Sequence, residues 1–263
     1  NDTFMIVGLR GLSDAGIFAI ATYVAAIMEI PQRSLNAISI PVLAKSWKDK
    51  DFSNIKHVYH KSVSNLLAIG LLLFGLIWLN IENLVAFLNW ISHKEGGGYE
   101  ALAPIVFIMG LAKLIDLATG VNGQIIGTSN YWRFDFFTNL FYIVLSIPLN
   151  FYLISNYSLI GLAYSNLAAL TLYNSVRFLF LYKKFKLQPY TLQHGLFLII
   201  SIALMFIIYI IPSTSNFVIN IAIKSSLYLL GFYTLIIWVN PAPELKELVQ
   251  GFLKNKLLGF LRR

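Results

Sequence analysis

Long apolar segments alternate with short polar connections along the chain, and this pattern predicts membrane-spanning helices. A transmembrane helix needs about 20 consecutive, mostly apolar residues. Seven segments meet this requirement, at residues 17–44, 63–88, 101–127, 135–154, 159–181, 195–212 and 217–239. Residues 3–9 are too few to cross a bilayer, so we expect them to be the end of a further helix. The predicted fold class is all-α, a polytopic transmembrane helical bundle.

Glycine and proline mark the positions where these segments should bend or end. Gly11 and Gly16 lie in a polar stretch that we expect to form a turn before the first complete span. Pro31 lies inside that span and should kink it, because proline removes a backbone donor. Gly120 and Gly123 should let another helix approach the third span closely, or let that span bend.

Composition agrees with a membrane protein. The chain is 57% hydrophobic and 12% charged, whereas ordinary soluble domains carry about 25% charged residues. It contains no cysteine, which excludes a disulfide framework and thiolate chemistry. The first residues, NDTFMIVGL, start inside an apolar run. We therefore expect this chain to be a fragment with an upstream portion missing.

Basic residues are distributed unequally between alternate connections, which predicts the orientation in the membrane. Most lie in the connection at 45–61, near residue 185 and in the C-terminal tail, while Arg10 and Lys94 fall on the opposite side. The C-terminus is therefore expected to be cytoplasmic. Because these residues flank the spans, the net charge of +8 indicates topology and attraction to anionic lipids, not nucleic-acid binding.

The tail after Pro241 and Pro243 differs from the spans. Its apolar residues recur at helical spacing with lysines and arginines between them. This pattern predicts an amphipathic helix in the membrane interface. A poorly ordered basic tail is the alternative.

Ionisable residues inside the spans are the most informative feature of the sequence. Each costs roughly 2.5–3.5 kcal/mol on insertion scales, so such residues usually face a cavity or a partner helix. Glu29 and Arg33 are four residues apart, in the order that favours a pair on one helix. Lys113 and Asp116 are three apart and are expected to form a second pair. Asn122 extends their polar face.

A third polar face includes Tyr173, Asn174 and Arg177 in the span at 159–181. Each face also has a purely structural interpretation. The two charged pairs could be internal salt bridges that fix helix packing, and Arg177 could extend to the lipid headgroups. Lys224 is expected to do the same near the end of the last span. Together the three faces favour a hydrophilic cavity.

Catalytic motifs are missing from the sequence. It contains no HExxH, no GxSxG and no Walker-type glycine loop. We therefore expect neither an enzyme nor a bound metal or cofactor. Without an ATPase, transport energy would come from an ion gradient, the membrane potential or the substrate gradient.

Three stretches carry a family resemblance: NDTFMIVG leading into AGIFA at 15–19, the Pro31 to Pro41 helix before a basic connection, and LIDLATGVNGQIIGTS at 114–129. In combination they resemble the C-terminal half of polysaccharide exporters of the O-antigen flippase type. These belong to the multidrug/oligosaccharidyl-lipid/polysaccharide superfamily. The resemblance implies a MATE-like fourteen-helix fold, of which this chain would hold a remnant of helix seven plus seven full spans.

The resemblance also implies a division of the chain. Residues 1–181 would form the second transport lobe, truncated at its start. Residues 182–240 would form two additional C-terminal transmembrane helices. Residues 241–263 would be the cytoplasmic, amphipathic basic tail.

The implied function is translocation of a polyprenyl-pyrophosphate-linked oligosaccharide across the bacterial inner membrane, for O-antigen, lipopolysaccharide or other surface polysaccharides. Two lobes would alternate access to a central cationic cavity. The substrate candidates are Arg33, Arg177, Lys113 and Asn122. Asp116 and Glu29 are the candidates for coupling to Na⁺ or H⁺. The implied partners are the lipid-linked oligosaccharide, membrane lipids and the missing N-terminal lobe.

Three alternatives remain open. A drug/cation antiporter of the same superfamily would prefer carboxylates to arginines in its cavity. A membrane-embedded enzyme of glycan assembly would be expected to carry charged clusters in a long external connection, and the longest one here is about 89–100. A purely structural membrane subunit would not need three polar faces.

Overall fold

A computed structural model describes residues 2–92, 98–214, 216–247 and 250–251. Over these residues the chain is helical, with no strand, which confirms the predicted all-α class. The main helices are α1 (Asp2–Arg10), α2 (Leu12–Ala26), α3 (Glu29–Lys48), α4 (Phe52–Ser92), α5 (Leu102–Ala118), α6 (Asn122–Gly127), α7 (Trp132–Phe185), α8 (Leu192–Tyr209) and α9 (Phe217–Val239).

Several of these helices have the length and apolarity of membrane spans. Among the described residues, α4, α7, α8 and α9 each qualify alone, and α2 with α3 qualifies as one span bent by 48°. The fold is thus that of a helical, membrane-embedded protein. Neither the MATE-like arrangement nor the three-part division of the chain is tested by these helices, and both stay predictions.

Helix α7 is a hairpin of two antiparallel arms, residues 132–156 and 159–185. The backbone at Tyr157 and Ser158 is non-helical, and Ser158 has a φ of 60°. The Tyr173 hydroxyl donates to Asn139 Oδ1 at 2.8 Å across the arms, and both residues lie equally far from Asn156 in sequence. Each arm exceeds the about 20 residues that cross a bilayer. The predicted segments 135–154 and 159–181 are therefore separate helices.

The first span bends, but not at the proline itself. The break falls at Ile27 and Met28, and Pro31 lies in the first turn of α3, where its missing N–H has no intrahelical acceptor to lose. Gly11, with a φ of 96°, separates α1 from α2. The expected turn around Gly16 is wrong, because Gly16 lies inside α2. Glycine costs only about 1 kcal/mol in a helix relative to alanine.

The expected basic loop at 45–61 is also wrong, since α3 continues to Lys48 and α4 begins at Phe52. Lysine is a good helix former, so the basic residues extend the two helix ends. The Asp51 carboxylate accepts a hydrogen bond from the Asn54 backbone N–H at 2.9 Å, which caps the start of α4. Helix α4 is therefore longer than a bilayer requires.

Helix α4 lies at the centre of the bundle and packs against α3, α5, α8 and α9. Phe197, Tyr228 and Phe232 of α8 and α9 are buried against it in the largest apolar cluster. A second cluster joins α2 and α5 to the α7 hairpin, and a third joins α3, α4 and α6. These clusters fix the relative positions of α3, α5, α6 and α7, which carry most of the polar residues at depth.

Helix α8 is tied to α4 by two histidines whose tautomers follow from their partners. The Thr191 backbone N–H donates to His194 Nδ1 at 3.0 Å, so His194 Nε2 carries the proton and donates to Ser64 Oγ at 2.8 Å. His60 Nδ1 donates to the Pro189 carbonyl at 2.7 Å. The start of α8 is therefore fixed by side chains of α4.

The start of the C-terminal tail packs on the bundle. Ala242 is fully buried, and the Glu244 carboxylate accepts hydrogen bonds from Lys61 Nζ at 2.9 Å and Asn65 Nδ2 at 3.2 Å. Residues 243–247 are helical. The predicted amphipathic helix lies mostly outside the described residues.

Candidate functional site

Polar side chains from four helices meet between α3, α5, α6 and the α7 hairpin. We call this set the polar groove. Its members are Glu29, Gln32, Arg33, Lys113, Asp116, Thr119, Asn122, Asp135, Asn139, Tyr173, Asn174 and Arg177. The groove includes every residue that the sequence predicted for the site.

Glu29 joins α3 to α5. Its carboxylate accepts a hydrogen bond from Arg33 Nη2 at 2.6 Å and forms a second salt bridge with Lys113 Nζ. The predicted Glu29–Arg33 pair is confirmed. The predicted Lys113–Asp116 pair is wrong, because the lysine reaches across to α3 instead. A base placed N-terminal to an acid is the less favourable order on one helix.

Asp116 is held by two amides. Its carboxylate accepts from Asn174 Nδ2 at 2.8 Å and from Gln32 Nε2 at 3.0 Å. An ionised carboxylate can only accept hydrogen bonds, so the Asn174 amide directs its NH₂ group toward Asp116 and its oxygen away from Asp116. That oxygen accepts from Thr119 Oγ1 at 3.0 Å and Asn122 Nδ2 at 3.1 Å. Asn174 thus links the second arm of α7 to α5 and α6, and Asp116 extends the network to α3 through Gln32.

Asn122 is almost fully buried in this conformation, with 3% of its surface exposed. Its amide orients Asn174, so here it supports the groove and does not line open space. Its predicted contact with substrate stays a prediction.

The expected continuous span at 101–127 is interrupted between α5 and α6. Gly120 adopts a φ of 63°, and a Cβ there would lie 2.5 Å from Ser62 Oγ. Ser62 Oγ in turn accepts from the Val121 backbone N–H at 3.2 Å, which satisfies a donor freed by the break. The break brings α6 and Asn122 against the second arm of α7.

Arg177 forms a closed set of contacts across the hairpin, and we call Arg177, Asp135, Asn139 and Tyr173 the Arg177 quartet. The guanidinium forms a salt bridge with Asp135 and lies 4.0 Å from the Tyr173 ring centroid. Asn139 accepts from the Tyr173 hydroxyl and donates to the Asp135 carboxylate at 3.2 Å. Arg177 is buried, so the alternative in which it extends to the lipid headgroups is wrong.

A polar cavity of about 450 Å³ adjoins the Arg177 quartet. Its walls are the quartet together with Ile40, Gly123, Gln124, Gly127 and Thr128. Gly123 allows the close approach of Arg177 to α6, because a Cβ there would lie 2.6 Å from Arg177 Nη1. Within the described residues, Arg177 Nε is buried without a hydrogen-bond partner. The guanidinium beside the cavity thus has one buried donor without an acceptor among the described residues.

The charges in the polar groove balance. Three cations (Arg33, Lys113 and Arg177) face three carboxylates (Glu29, Asp116 and Asp135). The family resemblance implies a cationic cavity, whereas this conformation is formally neutral. An anion that enters must therefore compete with a carboxylate for its cation.

Sequence reasoning missed Gln32, Asp135 and Asn139. Asp135 stands at the edge of its predicted span, and its role depends on the pairing of the hairpin arms. Equal distance of Asp135 and Arg177 from Asn156 was the signal in the sequence. Lys224 was also misjudged, since it is buried with its Nζ 5.9 Å from the Tyr209 ring centroid.

The fold and the groove together define the class: an all-helical, membrane-embedded bundle with balanced charges between its spans. Comparisons with protein-family models, curated proteins and solved structures find no match to this chain. The chemistry of the groove is therefore what bears on the function of this chain.

Proposed function

We propose that this chain is part of a membrane flippase that translocates a polyprenyl-pyrophosphate-linked oligosaccharide by alternating access. The observation that carries the proposal is the meeting of three groups of paired polar side chains, around Glu29, Asp116 and Arg177, between the helices of an apolar bundle. Packing alone does not require three cations, three carboxylates and a polar cavity among such helices, since an ionisable group inside a membrane is costly. A polar solute that passes between the helices would need these groups as binding partners.

The headgroup of such a substrate needs cationic partners inside the membrane. Guanidinium groups suit phosphate because their donors match two oxygens at once. The side chain of Arg33 is 75% exposed and has Glu29 as its partner, so it is the most accessible cation of the groove. Arg177 and Lys113 lie deeper. We assign Arg33 to first contact and Arg177 to the occluded site.

Glu29 and Asp116 are the candidates for ion coupling, and the contacts of Glu29 give the clearer mechanism for linking ion binding to substrate binding. Its carboxylate holds both Arg33 and Lys113. A proton or Na⁺ at Glu29 would weaken both salt bridges and free two cations for the pyrophosphate. Ion binding would in this way favour substrate binding, and a coupling free energy of this kind is reciprocal.

The proposal is tested by removing the two guanidinium groups one at a time. In Arg33→Gln and Arg177→Gln cells, lipid-linked glycan should accumulate on the inner leaflet. Arg133→Gln is the matched control, because Arg133 lies outside the groove beside Trp132. Leaflet distributions like wild type in both groove variants, at normal expression, would remove headgroup binding from these residues.

A drug/cation antiporter is the second candidate, and the three carboxylates are the observation that favours it. Each carboxylate, however, is already held by a cation or by amide donors. A cation substrate would have to displace two cations from Glu29. Export of a cationic dye by wild type but not by Glu29→Gln would support this alternative.

The glycan-enzyme alternative depends on the connection at 89–100. Residues 93–97 of that connection lie outside the described residues. The alternative stays a lower-ranked hypothesis on the sequence argument alone.

A further inference from the structure

The Arg177 quartet contains a fixed cation and a less confined anion. Arg177 is packed between the Tyr173 ring, at 4.0 Å, and the backbone of Gly123, where even a methyl group would meet its Nη1. The Asp135 side chain is 23% exposed, against 9% for that of Arg177. It approaches Gly127 with ordinary spacing, at 3.6 Å from an ideal Cβ. The carboxylate therefore has room to move, and the guanidinium does not.

The guanidinium also has a hydrogen-bond donor without an acceptor. One terminal nitrogen, Nη2, bonds to Asp135, while Nε is buried without a partner among the described residues. Buried donors are normally satisfied, so an unpaired one needs an explanation. A tetrahedral oxyanion offers several acceptor oxygens, whereas Asp135 in this structure bonds the guanidinium through Oδ1 alone.

We propose that a phosphate-type oxyanion binds Arg177 in the cavity of about 450 Å³ in exchange for Asp135, the carboxylate that pairs with Arg177 in this structure. Asn139 and Gln124 then meet the remaining oxygens with their amide groups. This inference deepens the proposed function and rests on it only for the identity of the ligand. A lipid-linked pyrophosphate and a free phosphate share the chemistry that the site recognises.

Charge balance explains why exchange is required. A buried cation without a counter-ion is strongly destabilising, so Arg177 keeps one at every stage. Two anions at Arg177 would repel each other in a poorly solvated cavity. Asp135 and the ligand are therefore alternatives, and removal of Asp135 should strengthen ligand binding.

Equilibrium binding of radiolabelled pyrophosphate to the purified full chain, in nanodiscs of zwitterionic lipid, tests this competition. Asp135→Asn should bind at least tenfold more tightly than wild type. Glu82→Gln is the matched control, since it removes one carboxylate that accepts from the Tyr209 hydroxyl, outside the groove. The double variant Asp135→Asn with Arg177→Gln should lose binding. Equal affinity in wild type and Asp135→Asn, or retained binding in the double variant, would overturn the exchange.

Folding is controlled by a second measurement on the same proteins. Asp135→Asn leaves Arg177 without its carboxylate, so its melting temperature should fall and should recover with pyrophosphate more than that of wild type. The double variant carries no uncompensated charge and should melt independently of pyrophosphate. If pyrophosphate fails to raise the melting temperature of Asp135→Asn, the exchange is also overturned.

The source of the ligand is resolved by a further arm. A prenyl pyrophosphate placed in the nanodisc is compared with free pyrophosphate in the buffer. Asp135→Asn should bind both more tightly than wild type, and the form that it binds more tightly is the source of the ligand. The proposed function can be wrong while the exchange is right. The result would then be binding that depends on Asp135 and Arg177 as described, together with Arg177→Gln cells that distribute lipid-linked glycan between the leaflets like wild type.

Discussion

At the scale of single residues, Gly123 decides where the deepest cation of the groove can lie. The absence of a side chain lets the Arg177 guanidinium rest on α6, within reach of Asp135 and the Tyr173 ring. Gly127 lies one turn later and faces Asp135 at an ordinary contact distance. The same short helix therefore has no room for a methyl group at Gly123 but has room for one at Gly127.

Gly123→Ala is expected to displace Arg177, because the new methyl group would lie 2.6 Å from Nη1. Overpacking of this kind costs typically about 1–3 kcal/mol. Transport should fall by an order of magnitude or more while Gly127→Ala stays near wild type. Translocation of lipid-linked glycan in cells, together with melting temperature, measures both effects. A Gly123→Ala protein that transports normally would show that the position of Arg177 is unimportant.

Residue chemistry was partly predictable from the sequence. The cost of burying charge singled out Glu29, Arg33, Lys113, Asp116 and Arg177, and all lie in one groove. Their partners were not predictable, because a partner on another helix depends on tertiary packing and not on spacing along the chain. Lys113 bonding to Glu29 instead of Asp116 is the clearest case.

At the scale of elements, the contact between α4 and α9 depends on close approach. Tyr228 is fully buried and donates to the Leu71 carbonyl at 2.8 Å, with its hydroxyl lying directly over Gly75. Asn80 also donates to Ser225 Oγ at 3.0 Å further along. Small residues at a helix interface commonly allow such packing in membranes.

Gly75→Ala should destabilise the bundle, because its Cβ would lie 2.2 Å from the Tyr228 hydroxyl oxygen. The expected loss is about 1–3 kcal/mol, measured by denaturant unfolding in detergent. The second change Tyr228→Leu should recover part of the loss by removing the ring. Gly16→Ala is the control, since its Cβ would meet nothing within 4 Å. Equal stability of both alanine variants would contradict this contact.

The connection between α3 and α5 offers a charge-exchange test. If Glu29 forms only packing pairs with Lys113 and Arg33, reversal of all three charges by Glu29→Lys, Lys113→Glu and Arg33→Glu should retain both folding and transport. The proposed coupling role predicts a folded protein that has lost ion-dependent transport. The melting temperature and transport at two ion concentrations separate the outcomes, and each single change, which places like charges together, serves as the unstable reference.

The bounds of a helix were predicted well where they depend on the length of an apolar segment. They were predicted poorly where they depend on tertiary contacts. The arms of α7, α8 and α9 lie close to the expected segments. The break after α5 was not predicted as such, because the left-handed backbone at Gly120 depends on its contact with Ser62. The basic stretch after residue 44 was expected to be a loop, yet its lysines favour helix.

At the scale of the whole molecule, the polar groove lies between α3, α5 and α6 on one side and the α7 hairpin on the other, and the outer arm of that hairpin is residues 132–156. That outer arm exposes Phe137, Val144 and Phe151. Large apolar residues on the outside are expected where lipid surrounds a protein. The same hairpin therefore carries an exposed apolar surface on its outer arm and polar residues of the groove on both arms.

The central claim is that this groove is wet and open to a solute, and cysteine accessibility tests it most directly. The chain contains no cysteine, so one can be introduced at a time. Asn139→Cys lies in the cavity wall, whereas Ile202→Cys is an exposed position on the apolar surface of α8. In intact membranes a charged, membrane-impermeant thiol reagent should label Asn139→Cys and spare Ile202→Cys, with pyrophosphate slowing the labelling. Absence of labelling at Asn139→Cys, in protein that a lipid-soluble maleimide labels fully, would contradict the account.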